Sequence, residues 1–214
     1  MNTWFHGLAN LTIAERLVRE PDGATGSPRH LGLRRPWGRL RLRTVFWASL
    51  MPDVPLIILT FWYFGAYGLN FGPRYDELFY TEPLWIVAHN LFHAPLVILG
   101  IALLGFVFLK RGGRRPTGSR APAAHLLSFA FGAGLHSLAD IPTHHADGPL
   151  LLFPFDWSYR FVSPISYWDP EHFGLVVLPL ETLAMVVMII YWRRKRKGSR
   201  DRRPAAAPGS LTGS

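Results

Sequence analysis

Cysteine is absent from the 214 residues. That excludes disulfide frameworks and thiolate metal sites, and it leaves the redox compartment unmarked. A leader core is missing as well: MNTWFHGLANLTIAERLVREPDG has no apolar run, so no cleavable signal peptide is expected. No internal repeat is present. Charge, finally, is missing from long stretches. Leu84 to Leu109 contains no Lys, Arg, Asp or Glu, and Phe173 to Trp192 contains only Glu181. A helix needs roughly 20 apolar residues to cross a bilayer, so both blocks read as spans. Val45 to Leu69 and Ala123 to Pro142 are weaker, since each carries an Asp and the former also Pro52 and Pro55. The four blocks predict an all-α membrane protein with about four transmembrane helices.

Basic residues are scarce in just two of the connecting segments. Of the 23 Lys and Arg, only Arg74 and Arg160 fall in loops 70–83 and 143–172. The positive-inside rule then places both termini and the 110–122 loop in the cytoplasm, and the two poor loops outside. Three regions follow. Residues 1–43 form a basic cytoplasmic segment in which 4–19 can lie on the membrane surface as an amphipathic helix. Residues 44–192 form the membrane domain. Residues 193–214 form a basic tail, rich in Pro, Ala and Gly at its end, that reads as disordered. The net charge of +9 comes from runs that abut apolar blocks. It points to anionic membrane lipids as partners, with no nucleic acid expected. A multi-pass protein of the cell's plasma membrane fits this pattern.

Against that apolar background a few polar residues stand out, because buried imidazole and carboxylate are costly without partners. In PLWIVAHNLFHAPLVILG, His89 and His93 are four residues apart and share a helix face about 6 Å apart. In GLHSLADIP, His136 and Asp140 repeat the arrangement. At about 1.5 Å per residue, both pairs fall in the outer half of the membrane and can face each other around one ion. Asp53 in SLMPDVP is a further candidate ligand or a helix N-cap between prolines. On a continuous helix it would lie about 22 Å from the outer surface, so it joins the others only if Pro52 and Pro55 break the span.

The outer loop is long for a connection. It is rich in aromatics, with Phe153, Phe155, Trp157, Tyr159, Phe161, Tyr167 and Trp168, which suit a membrane interface or a cap over the polar cluster. His144, His145 and His172 in this loop are candidate metal ligands that can complete the site or hold a second ion. Asp147 and the mid-span Glu181 are candidate general bases. His6, His30 and His125 are expected to play no part.

The ordered series MPD, H-x3-H, H-x3-D-x-x-T and LLLFPF-x-x-x-x-RF resembles the membrane-bound metal-dependent hydrolases of bacterial inner membranes, the YdjM-like LexA-binding family. Their ligand pattern is similar to that of zinc-dependent phospholipase C and P1-type nucleases. The resemblance covers residues 50–162. It implies Asp53, His89, His93, His136 and Asp140 as metal ligands, with Thr143, Gly148, Pro154 and Phe155 matching the rest of the third motif. Asn90, Leu91, Phe92 and Ala94 stand where the family carries Arg, Gly, Thr and Ser. The expectation is a hydrolase in which one or two divalent ions, zinc foremost, activate water against a phosphoester or other ester, with a lipid-like substrate suiting the depth. Rival readings are a divalent-metal transporter or non-catalytic metal-binding protein, a membrane cytochrome with His93 and His136 on haem, and a purely structural scaffold.

Overall fold

Prolines punctuate the chain, and the helices begin where they stand. The computed structural model describes residues 3–18, 40–111 and 121–201. Among these residues it contains eight α-helices: α1 (Thr3–Val18), α2 (Leu42–Ala48), α3 (Val54–Tyr67), α4 (Pro73–Thr81), α5 (Pro83–Asn90), α6 (Pro95–Arg111), α7 (Ala121–Asp140) and α8 (Gly174–Asp201). Pro73, Pro83 and Pro95 open α4, α5 and α6, and Pro55 sits in the first turn of α3. A proline ring supplies helical φ there, and its missing N–H is one that a helix start leaves unpaired anyway. Among the described residues there is no β-strand, only an isolated antiparallel bridge between Leu150 and Arg160.

The same prolines break two of the expected spans. Val45 to Leu69 is divided into α2 and α3 by the turn 49–53, and Leu84 to Leu109 into α5 and α6, which meet at 51°. One helix, Gly174–Lys195 within α8, is by itself long and apolar enough to cross a membrane; the bent α5–α6 pair qualifies only if taken as one span. α3 is apolar but 14 residues long. Among the described residues, length and apolar character thus mark one span, or two with the bent pair, and do not establish the four that were expected. α8 also continues to Asp201, so the first part of the tail expected to be disordered is helical. The basic stretch 19–39, the loop 112–120 and the tail from 202 lie outside the described residues.

α7 is the central element. Ala130 and Ala133 pack on Ile98 of α6, and on its other side Gly132 lies against α2. A Cβ at Gly132 would meet the Val45 carbonyl oxygen at 2.5 Å, so only glycine permits this approach. The long loop is tied to α5 and α6 through Leu150 and Phe153, which pack with Ile86 and Ala94. Asn90 adds a polar tie: its Oδ1 accepts the Leu150 N–H at 2.7 Å, and its amide donates to the Ile86 carbonyl at 2.7 Å.

α1 differs from expectation. It does not lie apart as a surface helix but packs into the bundle. The Asn10 amide donates to Ser49 Oγ at 3.0 Å and to the Gly132 carbonyl at 3.2 Å. At its far end the Trp192 indole donates to Thr12 at 3.1 Å, and Lys195 pairs with Glu15. Meanwhile large apolar side chains on α3, α6 and α8 stand open, among them Phe61, Leu103 and Leu175.

Candidate metal centre

Asp53, His93, His136 and Asp140 each offer one donor atom, and these four atoms lie within 4.8 Å of one another. The cluster can hold a metal ion. Both helix breaks are needed to form it. Asp53 falls at the start of α3, where the break turns it toward α7. Its backbone is helical and its side chain makes no cap bond, so the N-cap alternative is not what it does. Instead Oδ1 lies 3.3 Å from His93 Nε2 and 3.4 Å from His136 Nε2, and Oδ2 accepts the Thr3 hydroxyl at 2.5 Å. His93 lies in the α5–α6 break. His136 and Asp140 occupy successive turns at the end of α7, with Nε2 and Oδ2 2.9 Å apart.

The ring orientations are set from behind. His93 Nδ1 lies 2.7 Å from the His89 carbonyl, and His136 Nδ1 lies 2.7 Å from the Ser49 carbonyl. A carbonyl only accepts, so each Nδ1 carries a proton and each ring turns its Nε2 inward, where it offers a lone pair when the ring is neutral. The two Nε2 atoms are 3.0 Å apart, and His93 Nε2 is 3.2 Å from Asp140 Oδ2. Two lone pairs and two carboxylates facing one point repel unless a cation or extra protons lie between them. The carbonyls concerned belong to the helix breaks. A third, that of His93, accepts the Ser137 hydroxyl at 2.6 Å.

The remaining candidates divide. His89 stacks on His93 with ring centroids 4.9 Å apart, yet neither of its nitrogens enters the cluster. The i, i+4 spacing does bring the rings together, but the break aligns them face to face rather than convergent on one point. His144 lies at the rim: Nε2 is 3.8 Å from Asp140 Oδ1 and Nδ1 is 3.0 Å from Asp147 Oδ2. Burial raises the Asp147 carboxyl, but the His144 contact and the Trp168 indole, donating at 3.0 Å, outweigh it and bring the pKa down to about 2. His145 and His172 form a separate stack 3.6 Å apart, with His145 Nδ1 on the Ser163 carbonyl and His172 Nδ1 on Asp169. Glu181 is buried on α8 and is not among the converging donors. Thr143 closes the end of α7, its hydroxyl donating to the Ala139 carbonyl at 2.9 Å.

Sequence reasoning missed His6. Expected to be irrelevant, it is buried beside the cluster, its ring stacked on His136 at 3.8 Å and its Nε2 3.0 Å from Asp140 Oδ1. A signal was there to find. Thr3, His6, Asn10 and Ala14 recur at helical spacing, forming a stripe of small and polar residues on a short helix. His30 lies outside the described residues, and His125, at the opposite end of α7 from His136 and Asp140, pairs with Thr44 at 2.9 Å. Comparison with protein-family models, curated proteins and solved structures found no match.

Proposed function

We propose that this protein is a membrane-bound, metal-dependent hydrolase of the LexA-binding inner-membrane kind, with zinc at Asp53, His93, His136 and Asp140. One observation carries the reading: two Nε2 lone pairs and two carboxylate oxygens converge on one point, with both imidazole tautomers set by backbone carbonyls. Nitrogen and oxygen donors in this ratio suit Zn²⁺, and carbonyl-anchored imidazoles are the usual outer support of such sites. Large apolar side chains stand exposed along α3, α6 and α8, a surface that suits lipid, and on this reading the ligand cluster belongs toward the outer face.

A divalent ion held by Asp53, His93, His136 and Asp140 would supply Lewis acidity and would lower the pKa of water bound to it. The protein's own groups then have distinct tasks. His144 Nε2 faces the cluster, 3.8 Å from Asp140 Oδ1, and would be placed to accept a proton there. Asp147, on His144 Nδ1, holds the ring in the acceptor tautomer. A carboxyl held near 2 is itself a weak base, so Asp147 acts by orienting. Thr3 holds Asp53 by its second oxygen, and Tyr167 packs against the His144 ring at the rim.

The test is metal content by mass spectrometry on detergent-purified protein, followed by phosphoester turnover with and without chelator. About one equivalent of zinc, lost in His136→Ala, with turnover abolished by chelator, is the expected result. Stoichiometric metal with no turnover on any phosphoester or carboxylic ester would leave a metal-binding or transport protein instead. No metal would refute the site.

A further inference from the structure

Arg160 is half-buried, and it is the one basic side chain of loop 143–172. Its guanidinium has five N–H donors. One nitrogen donates to the Gly148 carbonyl, and the group lies 5.5 Å from the Phe79 ring centre and 5.6 Å from that of Tyr80. Among the described residues no carboxylate lies within ion-pair distance of it. Asp147 is close enough for its charge to be felt, but its carboxylate is engaged by His144 and Trp168. A half-buried guanidinium held by rings and one carbonyl, whose remaining donors meet no partner among the described residues, is suited to an anion from outside the chain.

His89 makes the second, independent observation. It is buried, and neither ring nitrogen has a hydrogen-bond partner among the described residues. One face stacks on His93 of the cluster, and Phe79 meets the ring edge-on at 4.9 Å. Phe79 therefore touches both Arg160 and His89, and His89 in turn touches the cluster. The loop is fixed in this position by Asn90, the neighbour of His89, through the bond to Leu150, which bridges to Arg160.

We propose that Arg160 and His89 form an anion subsite beside the metal centre, so that the substrate is an ester carrying a phosphate-type oxyanion. This rests on the hydrolase reading for its catalytic meaning, but the subsite itself does not depend on turnover. Arg160 takes the oxyanion through its remaining N–H donors, and a ring nitrogen of His89 donates to the same group or to the ester beyond it. Arg74, the other basic residue of the two poorly basic loops, lies 3.9 Å over the Tyr67 ring and has no such role.

The experiment uses the full chain in detergent with inorganic phosphate as probe and short-chain phosphatidic acid in micelles as a second probe. Wild-type protein is treated with phenylglyoxal, with and without each probe, and modification of Arg160 and Arg74 is read by peptide mass mapping. Phosphate is expected to protect Arg160 and not Arg74. Protection by phosphatidic acid at much lower concentration than by phosphate assigns the anion to a lipid headgroup, and equal protection assigns it to a soluble ester. In parallel, Arg160→Gln is expected to weaken phosphate binding by about tenfold or more, with Arg160→Lys intermediate because it keeps the charge and loses the fork. Metal content is measured on the same samples. Zinc retained with unprotected Arg160 and unchanged phosphate affinity overturns the subsite and leaves the hydrolase reading standing. Protection of Arg160 in a protein without metal overturns the hydrolase reading and keeps the subsite.

Discussion

Replacing His136 by alanine separates a metal centre from a network of buried polar side chains. The imidazole is fully buried and has two separable jobs. On one side Nδ1 satisfies the Ser49 carbonyl, and leaving that buried acceptor bare costs about 1–3 kcal/mol. On the other side Nε2 is one of four converging donors. An ion present at about 100 times its dissociation constant adds about 2.7 kcal/mol to the folded state. For a domain of this size 1 kcal/mol moves the midpoint by roughly 2–4 °C, so a chelator should lower the wild-type midpoint by roughly 5–11 °C. The assay is thermal unfolding in detergent, with excess zinc or with chelator. His136→Ala is expected to start lower and to show no difference between the two conditions. His145→Ala, in the separate stack with His172, is expected to keep the full chelator response. If wild type is indifferent to chelator, or if His136→Ala responds as wild type does, the metal argument is refuted, and the histidines and aspartates pair with one another by sharing protons.

Other consequences can be measured in the same preparations. Asn90→Ala leaves the buried Leu150 N–H unpaired, and a cost of about 1–3 kcal/mol in unfolding free energy is expected with zinc content unchanged. Gly132→Ala forces α2 away from α7, because its Cβ would meet the Val45 carbonyl oxygen at 2.5 Å. The Ser49 carbonyl shifts with α2, and zinc affinity by competition titration is expected to fall about 10- to 100-fold, as when an outer support is lost. Asp147 has its pKa depressed to about 2 in the folded state, so its contribution is present above the unfolded carboxyl value near 4 and is lost as pH falls toward 2. The stability gap between wild type and Asp147→Asn should therefore be constant at neutral pH and close between about pH 4 and pH 2; a gap unchanged by acid would remove the His144–Asp147 pairing.

The helical class and the pairing of His136 with Asp140 were legible in the sequence because both are local properties. Apolar blocks, helix-starting prolines and an i, i+4 spacing each act within a few residues. Asp53 was legible only conditionally. Its place on a straight helix put it too deep, and Pro52 and Pro55 allowed a break without stating its direction. His89 stands apart from the four converging donors because the same spacing serves stacking as well as convergence, and the choice depends on the bend of the chain after His93. His6 is joined to Asp140 across most of the chain. That contact follows from how α1 packs, which Asn10 and Gly132 decide together. Nothing local to His6 announces it beyond the stripe it shares with Thr3 and Asn10.

The carbonyls of Ser49, His89 and His93, exposed by the two breaks, are each capped by a side chain, from His136, His93 and Ser137. Two of those three side chains are also the imidazole donors, so the fold and the chemistry draw on the same atoms. A descendant of this protein that lost its reaction would still need His93 and His136 to keep its bent helices from exposing bare peptide groups. Their persistence in such a chain would record the shape of the backbone and would say nothing about turnover. The rim pair His144 and Asp147, which mends no helix break, is where inactivation would first become visible.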